Sequence, residues 1–240
     1  MKNNVAICIG GLTYRDSEPL VERLKNRFPN YDFFFGVWKD RETDLSKKLN
    51  AFVYEEHTPE YHPYLDIDIN TWPSKLKTII EKMHRKMAEN GEMKLIAKAP
   101  HQTKQILMHS YMLKSIPEHY DMIIRARWDL LIKNESIPFE KFIEEYKEQN
   151  KAIGFSANQA PTRGSCWDAN IPNWSRWWEG FLMDLMIIHP RKLFNHEKMW
   201  ELHNSKQLLA AEFGWYQVLS DGNHNCYFAD MNMTSRDGYR

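Results

Sequence analysis

Two arginines and one aspartate at alternating positions are the side chains of this sequence best suited to chemistry. Arg125, Arg127 and Asp129 fall in the segment 120–132, whose other residues are mostly apolar. As a single strand, this segment would carry the three charges on one face, because successive side chains point to opposite faces. A carboxylate that can bind Mg²⁺ or Mn²⁺ beside arginines that can pair with phosphate suits a diphosphate ligand. The alternative is an internal Arg–Asp ion pair at a strand end.

The elements around this segment predict an α/β protein. An apolar strand at 5–12 ends in Gly10-Gly11, a helix capped by Asp16 or Ser17 follows, and a second strand covers 31–38. This βαβ order predicts a mostly parallel sheet flanked by helices, in which ligands bind outside the carboxyl ends of the strands. Residues 41–71 read as irregular. We expect further helices from Ser74 and at 104–115, 139–149 and after Ser205, and strands at 93–97, 152–156 and 181–188.

The glycine turn after the first strand is a second candidate ligand contact. Gly10 and Gly11 would let a ligand approach the backbone, and Arg15 could reach a phosphate. The sequence has no GxxxxGK[ST] loop and no GxGxxG fingerprint. An ordinary tight turn explains the two glycines about equally well.

The loop at 157–180 is rich in tryptophan, which argues against disorder. Trp174, Trp177 and Trp178 could form a floor on which sugar C–H groups pack. Hydrophobic anchoring of the loop is the alternative for each of them.

Charge and composition exclude some partners. With 32 basic and 32 acidic residues the net charge is zero, which argues against general nucleic-acid binding. The three cysteines form no CxxC pair, and no apolar run is long enough for a signal peptide or a membrane span. We therefore expect a cytoplasmic protein with no membrane span.

These motifs together resemble the GT-A glycosyltransferases, and in particular transferases of bacterial and viral surface-glycan synthesis that carry an R-x-R-x-D strand. The matching segments are the Gly10-Gly11 strand end, the helix with Thr103-Lys104-Gln105-Ile106, the strand with Arg125 to Asp129, Asp184 in its apolar segment, and Ala210-Ala211-Glu212-Phe213. The resemblance implies a GT-A-like, Rossmann-type sheet in one domain, 1–240. Residues 1–132 would form the nucleotide-sugar half and residues 133–240 the acceptor half.

The resemblance also implies roles for individual residues. The family's metal-binding D-x-D appears here as Arg127-Trp128-Asp129, so an arginine, which can replace part of a cation's charge, stands in the place of the first acid. The family's base segment is matched only at Glu212. The implied metal ligands for Mn²⁺ or Mg²⁺ are Asp129 and His224, and the implied catalytic carboxylates are Glu212 and Asp184. The implied nucleotide contacts are Gly10, Gly11, Leu12, Arg15, Trp38, Lys104, Gln105, Arg125, Arg127 and Trp128.

The function implied is transfer of a sugar from a nucleoside-diphosphate sugar, of uridine or guanosine, to a glycan or other hydroxyl acceptor. Two alternatives remain at this point. One is a non-catalytic nucleotide- or glycan-binding module, since Asp129 stands without a second acid. The other is a metal-dependent hydrolase or nuclease using Asp129, Asp184 and Glu212. For Glu212 itself, a first-turn glutamate favoured by the helix dipole is as good an explanation as a general base.

Overall fold

The computed structural model describes residues 4–11, 13, 17–55, 100–132, 137–157, 182, 185–205, 208, 211–219, 224–229 and 231–233. The predicted helix from Ser74 and the predicted strand at 93–97 lie outside these residues. So does nearly all of the predicted loop at 157–180.

Nine strands form two sheets within the described residues. In chain order they are β1 (Val5–Gly10), β2 (Asp32–Trp38), β3 (Phe52–Tyr54), β4 (Met122–Ala126), β5 (Leu130–Ile132), β6 (Ile153–Ala157), β7 (Met186–Pro190), β8 (Asn225–Ala229) and β9 (Met231–Met233). The larger sheet has seven strands in the order β3-β2-β1-β4-β7-β6-β8, and β5 pairs with β9 in the smaller one.

Six α-helices accompany the strands in the described part of the chain. They are α1 (Ser17–Arg27), α2 (Asp44–Lys48), α3 (Pro100–Ser115), α4 (Phe139–Gln149), α5 (His196–Asn204) and α6 (Ala211–Val218). The spacing of apolar residues explains why α4 is a helix, since Phe139, Ile143 and Tyr146 are buried along one face. The helix ends where Asn150 takes a left-handed conformation at φ 52°.

Strand directions make the larger sheet mixed and mostly parallel, which confirms the predicted fold class. β3, β2, β1 and β4 are parallel neighbours, whereas β7 runs antiparallel to both β4 and β6. Because β7 is antiparallel to both of them, β6 runs in the same direction as β4, and so does β8, which pairs in parallel with β6. We call the edge at which β1 to β4 end the carboxyl edge, and the opposite one the amino edge.

The core lies on both faces of this sheet. Along β1, Ile7 and Ile9 pack with α1 and α4, and Ala6 and Cys8 pack with α3 and α6. A strand buried on both faces reads as a continuous apolar run, as 5–9 does.

The structure corrects three of the predicted elements. The segment 120–132 is not one strand, because β4 ends at Ala126 and the chain turns, with the N–H of Leu130 donating to the carbonyl of Arg127 at 3.3 Å. The turn is invisible in the sequence because β5, which follows it, is also apolar. The stretch predicted as irregular contains α2 and β3, which are too short to show periodicity.

The third correction concerns the later half. The strand predicted at 181–188 is β7, which begins at Met186 and ends at Pro190, and α5 was not predicted. Asn195 caps α5, its side-chain oxygen accepting from the N–H of Lys198 at 2.9 Å. In the described residues, no helix combines the length and the apolar character that crossing a bilayer requires.

Candidate functional site at the carboxyl edge

The order of the strands creates a topological switch point between β1 and β4. From β1 the chain continues to β2 on one side, and β4 flanks β1 on the other. Beyond β4 the sheet continues through β7, β6 and β8, so the strand order reverses between β1 and β4. Such a switch point is where open α/β sheets bind ligands.

The two glycines at the end of β1 have different structural reasons. A Cβ at Gly10 would lie 2.8 Å from the Cγ of Met108 and from the Sδ of Met112, so this glycine lets α3 pack closely on the sheet. Gly11 has φ 120°, and a Cβ there would meet none of the described atoms within 4 Å. Its N–H donates to the carbonyl of Gly36 at 3.2 Å. The positive φ is thus the structural reason for Gly11, whereas Leu12 and Arg15 lie outside the described residues.

Arg127 and Asp129 form a bidentate ion pair in the turn after β4. The Nε and Nη2 groups of Arg127 donate to the two carboxylate oxygens of Asp129, both at 2.8 Å. The side chain of Asp129 is 1% exposed and that of Arg127 is 20% exposed. The carboxylate therefore lies beneath the guanidinium, and the geometry is that of the ion-pair alternative.

Trp128 anchors the same turn and is not placed as a nucleotide contact. Its indole is 1% exposed, packs against Phe35 at 5.4 Å between ring centroids, and donates from Nε1 to the carbonyl of Gly36 at 3.3 Å. Because this carbonyl also accepts from Gly11, the turn crosses the carboxyl end of β1 and reaches β2. The ring of Trp128, which the resemblance implies as a nucleotide contact, is enclosed by the core in this structure.

Arg125 belongs to the interface between the sheet and two helices. It is buried, its Nη2 donates to Oε1 of Gln105 on α3, and its guanidinium lies 5.1 Å from the ring of Trp215 on α6. Arg125 and Gln105 thus hold α3 and α6 to β4, and the enclosed guanidinium is not positioned as a direct phosphate contact. Trp38 is likewise buried, edge-on to Tyr111 at 6.2 Å.

Lys104 lies near the start of α3, which approaches the carboxyl edge. Partial burial lowers the pKa of its ammonium group, an effect that Asp40 opposes and Arg41 adds to. Asp40 and Arg41 follow β2 directly and were missed in the sequence analysis. Their place immediately after a parallel strand was the available signal.

The residues predicted for catalysis are described only in part. α6 ends near the amino edge, where the carbonyl of Val218 accepts from the N–H of Asn195 at 2.8 Å. Trp215, earlier in the helix, lies closer to the carboxyl edge, beside Arg125. The backbone of Glu212, one turn before Trp215, is therefore placed toward the carboxyl edge. The side chain of Glu212 lies outside the described residues, as do Asp184, Trp174, Trp177 and Trp178.

His224 is at the wrong end of the sheet for its predicted role. It precedes β8, and its Nδ1 accepts from the N–H of Ala152, just before β6, at 3.0 Å. Because β6 and β8 run parallel to β4, their first residues lie at the amino edge. His224 therefore cannot share a cation with Asp129, and it holds the starts of two strands together.

A divalent cation does not fit the donor groups that the structure describes. Both oxygens of Asp129 face Arg127, and His224 is at the other edge. Within the described ranges, no group of three or more His, Cys, Asp or Glu side chains could hold a metal ion. We derive no step through a metal.

A cavity of about 720 Å³ opens at the amino edge, away from the predicted site. Its charged lining is largely engaged. Lys147 pairs with Asp121 at 2.7 Å, and Arg191 donates to carbonyls at the end of α3, including that of Ile116 at 3.2 Å. These contacts stabilise the ends of α3 and α4, and we place the candidate site at the carboxyl edge.

The fold defines a doubly wound α/β protein, and the candidate site lies at its topological switch point. A scan of protein-family models and a search of curated proteins both find no match. Among solved structures, the chain is similar to the 4-diphosphocytidyl-2C-methyl-D-erythritolsynthase from Anaerococcus prevotii, with a TM-score of 0.49, 10% identity, and coverage of 98% of this chain and 92% of that one.

Two further solved structures are similar over most of their length. One is a mannose-1-phosphate geranyltransferase from Thermus thermophilus, with a TM-score of 0.42, 10% identity, and coverage of 97% and 75%. The other is a glycosyltransferase involved in the glycosylation of the major capsid of PBCV-1, with a TM-score of 0.38, 11% identity, and coverage of 93% and 81%. Likenesses of this extent do not decide a function, which rests on the site.

Proposed function

We propose that this protein is a glycosyltransferase that binds a nucleoside-diphosphate sugar at the carboxyl edge and moves the sugar to a hydroxyl acceptor. The observation that carries the proposal is the Arg127–Asp129 ion pair in the turn after β4, whose Trp128 shares the Gly36 carbonyl with Gly11 at the end of β1. A partly buried cation at a switch point suits a diphosphate.

The charges at the carboxyl edge support a diphosphate over a neutral ligand. The side chain of Arg127 is partly exposed, and Lys104 contributes a second cation from the start of α3. With no net charge on the whole chain, only such a local group of cations can hold an anion.

We place the acceptor over the later half of a single domain, 133–240, with Glu212 as its base. Inverting transfer needs a carboxylate within hydrogen-bond reach of the attacking hydroxyl. α6 begins toward the carboxyl edge, so the backbone of Glu212 in its first turn lies toward the proposed donor. Asp184 is the carboxylate to test next, and Trp174, Trp177 and Trp178 are the proposed acceptor floor.

The proposal is tested by thermal unfolding with UDP, GDP and their sugars, followed by an assay of nucleoside-diphosphate release. A ligand at a hundredfold excess over its Kd stabilises the native state by about 2.7 kcal/mol, which a melting curve resolves. We expect one base to be preferred and its sugar to be consumed when an acceptor is present. Binding without release or transfer would instead identify a non-catalytic binding module, and the absence of any binding would refute the proposal.

A further inference from the structure

We propose, on the basis of the function proposed above, that Arg127 supplies the charge that neutralises the donor diphosphate, and that Asp129 positions Arg127. In this arrangement Asp129 acts through the guanidinium and is not a metal ligand. Donor binding is then independent of divalent cations.

The first support is the way in which the carboxylate is used. Both oxygens of Asp129 accept from one guanidinium at 2.8 Å, the fork geometry in which arginine and carboxylate pair most strongly. The carboxylate is 1% exposed, so a cation bound to it would have to displace Arg127 from a buried partner. Such a displacement would cost the two charge-assisted hydrogen bonds of the pair.

The second support is the rigidity of the turn that carries Arg127. The preceding residue, Ala126, pairs with Ile9 of β1, and the following one, Trp128, is buried and hydrogen-bonded to Gly36 of β2. The two residues that flank Arg127 are thus fixed in the sheet and core, and Asp129 holds the guanidinium itself. A preorganised charge needs no rearrangement when the anion arrives.

The third support is the direction of exposure. Asp129 lies on the protein side of the pair, and Arg127 retains 20% exposure at the carboxyl edge. The group of the pair that reaches the surface is therefore the side chain of Arg127 and not the carboxylate.

The first experiment measures the affinity of the intact protein for UDP and GDP by calorimetry, in excess EDTA and in excess Mn²⁺. We expect the Kd of the preferred nucleotide to be the same in both conditions. Binding that requires Mn²⁺ would overturn the inference while leaving the proposed function intact. Binding of neither nucleotide in either condition would overturn both.

The second experiment is a double-mutant cycle in excess EDTA with Arg127→Ala, Asp129→Asn and the double variant. Loss of a charged hydrogen bond should weaken nucleotide binding in Arg127→Ala by roughly 10- to 100-fold. Asp129→Asn, which turns one acceptor into a donor facing Arg127, should also weaken binding. In the Arg127→Ala background the same change should have no further effect on nucleotide binding, because the proposed role of Asp129 in that binding is to position Arg127.

Arg127→Lys and Arg27→Lys complete the set. Lysine keeps the charge but loses the bidentate fork. The nucleotide affinity of Arg127→Lys should therefore lie between those of the parent and Arg127→Ala. Arg27, which pairs with Glu140 at 3.2 Å at the end of α1, is the matched control and should leave nucleotide affinity unchanged. Independent, additive losses from Arg127→Ala and Asp129→Asn would refute the positioning role. The EDTA comparison decides the question on the parent protein if Asp129→Asn does not fold.

Discussion

Lowering the pH from 7 to 5 should destabilise this protein through two buried histidines that join α3 to β7. The Nδ1–H of His189 donates to the carbonyl of Pro190 at 2.8 Å, so its Nε2 accepts from the Nε2–H of His109 at 3.0 Å. This assignment makes both rings neutral. Protonating His109 would bury an N–H at Nδ1 for which the described residues offer no acceptor.

Burial lowers the pKa of His189 from 6.5 to about 4, and His224 adds to this effect while the Pro190 carbonyl opposes it. Burial also lowers the pKa of His109 well below 6.5, helped by His189 and Arg125. Between pH 6.5 and pH 4 the unfolded chain therefore binds a proton at His189 that the folded chain does not. The stabilisation is complete above the unfolded pKa and is lost as the pH falls toward the folded one.

The expected magnitude follows from these two pKa values. From pH 7 to pH 5, His189 alone should lower the free energy of unfolding by about 2 kcal/mol, and His109 should add to the loss. Urea unfolding followed by circular dichroism at several pH values measures it. His189→Gln, which does not titrate, should reduce the pH dependence by that amount.

His119→Gln is the matched control for this substitution, because His119 is exposed. It should leave the pH dependence of the parent unchanged. Equal pH dependence in the parent and His189→Gln would refute the reasoning. It would mean that the folded and unfolded states titrate alike at this site.

Three further substitutions test the carboxyl edge and the proposed base. Gly10→Ala should destabilise the protein by about 1–3 kcal/mol in urea unfolding, because its Cβ would press on methionines of α3. Trp128→Phe should cost about 0.5–1.5 kcal/mol for the lost hydrogen bond to the Gly36 carbonyl, together with a small packing defect, in the same assay. On the proposed function, Glu212→Gln should slow transfer by about 10²–10⁴-fold while the circular dichroism spectrum and nucleoside-diphosphate affinity stay as in the parent.

Each of these has a control or a contrary outcome. Gly11→Ala is the companion to Gly10→Ala: its Cβ meets none of the described atoms within 4 Å, so the cost comes from the strained φ, and it should weaken nucleotide binding as well. Unchanged stability in Trp128→Phe would show that the indole N–H bond contributes nothing net. Near-normal turnover in Glu212→Gln would remove this residue from the base role and leave Asp184 to be tested.

Much of the scaffold could be predicted because its helices and strands follow from the local spacing of apolar residues. The predicted helix at 139–149 matches α4 in full, since its apolar spacing and its end depend on nearby residues alone. The β1-α1-β2 unit was also predicted, because a strand buried on both faces, a capped helix and a second apolar strand follow one another without interruption.

What the pattern could not supply is which neighbour each side chain meets. Apolar residues on both sides of Arg127-Trp128-Asp129 predicted a single strand, but one side pairs with β1 and the other with β9 in a separate sheet. Periodicity records that a residue is buried and not which sheet buries it. The turn between the two therefore came only from the tertiary structure.

The candidate site shows the same division. The sequence by itself determined that two arginines and an aspartate alternate within an apolar segment, since composition and spacing are properties of the chain. Only the tertiary structure decided that Arg125 is enclosed between α3 and α6, that Trp128 is in the core, and that Asp129 lies beneath Arg127. It also placed His224 at the amino edge, because strand direction depends on pairing between segments distant in sequence.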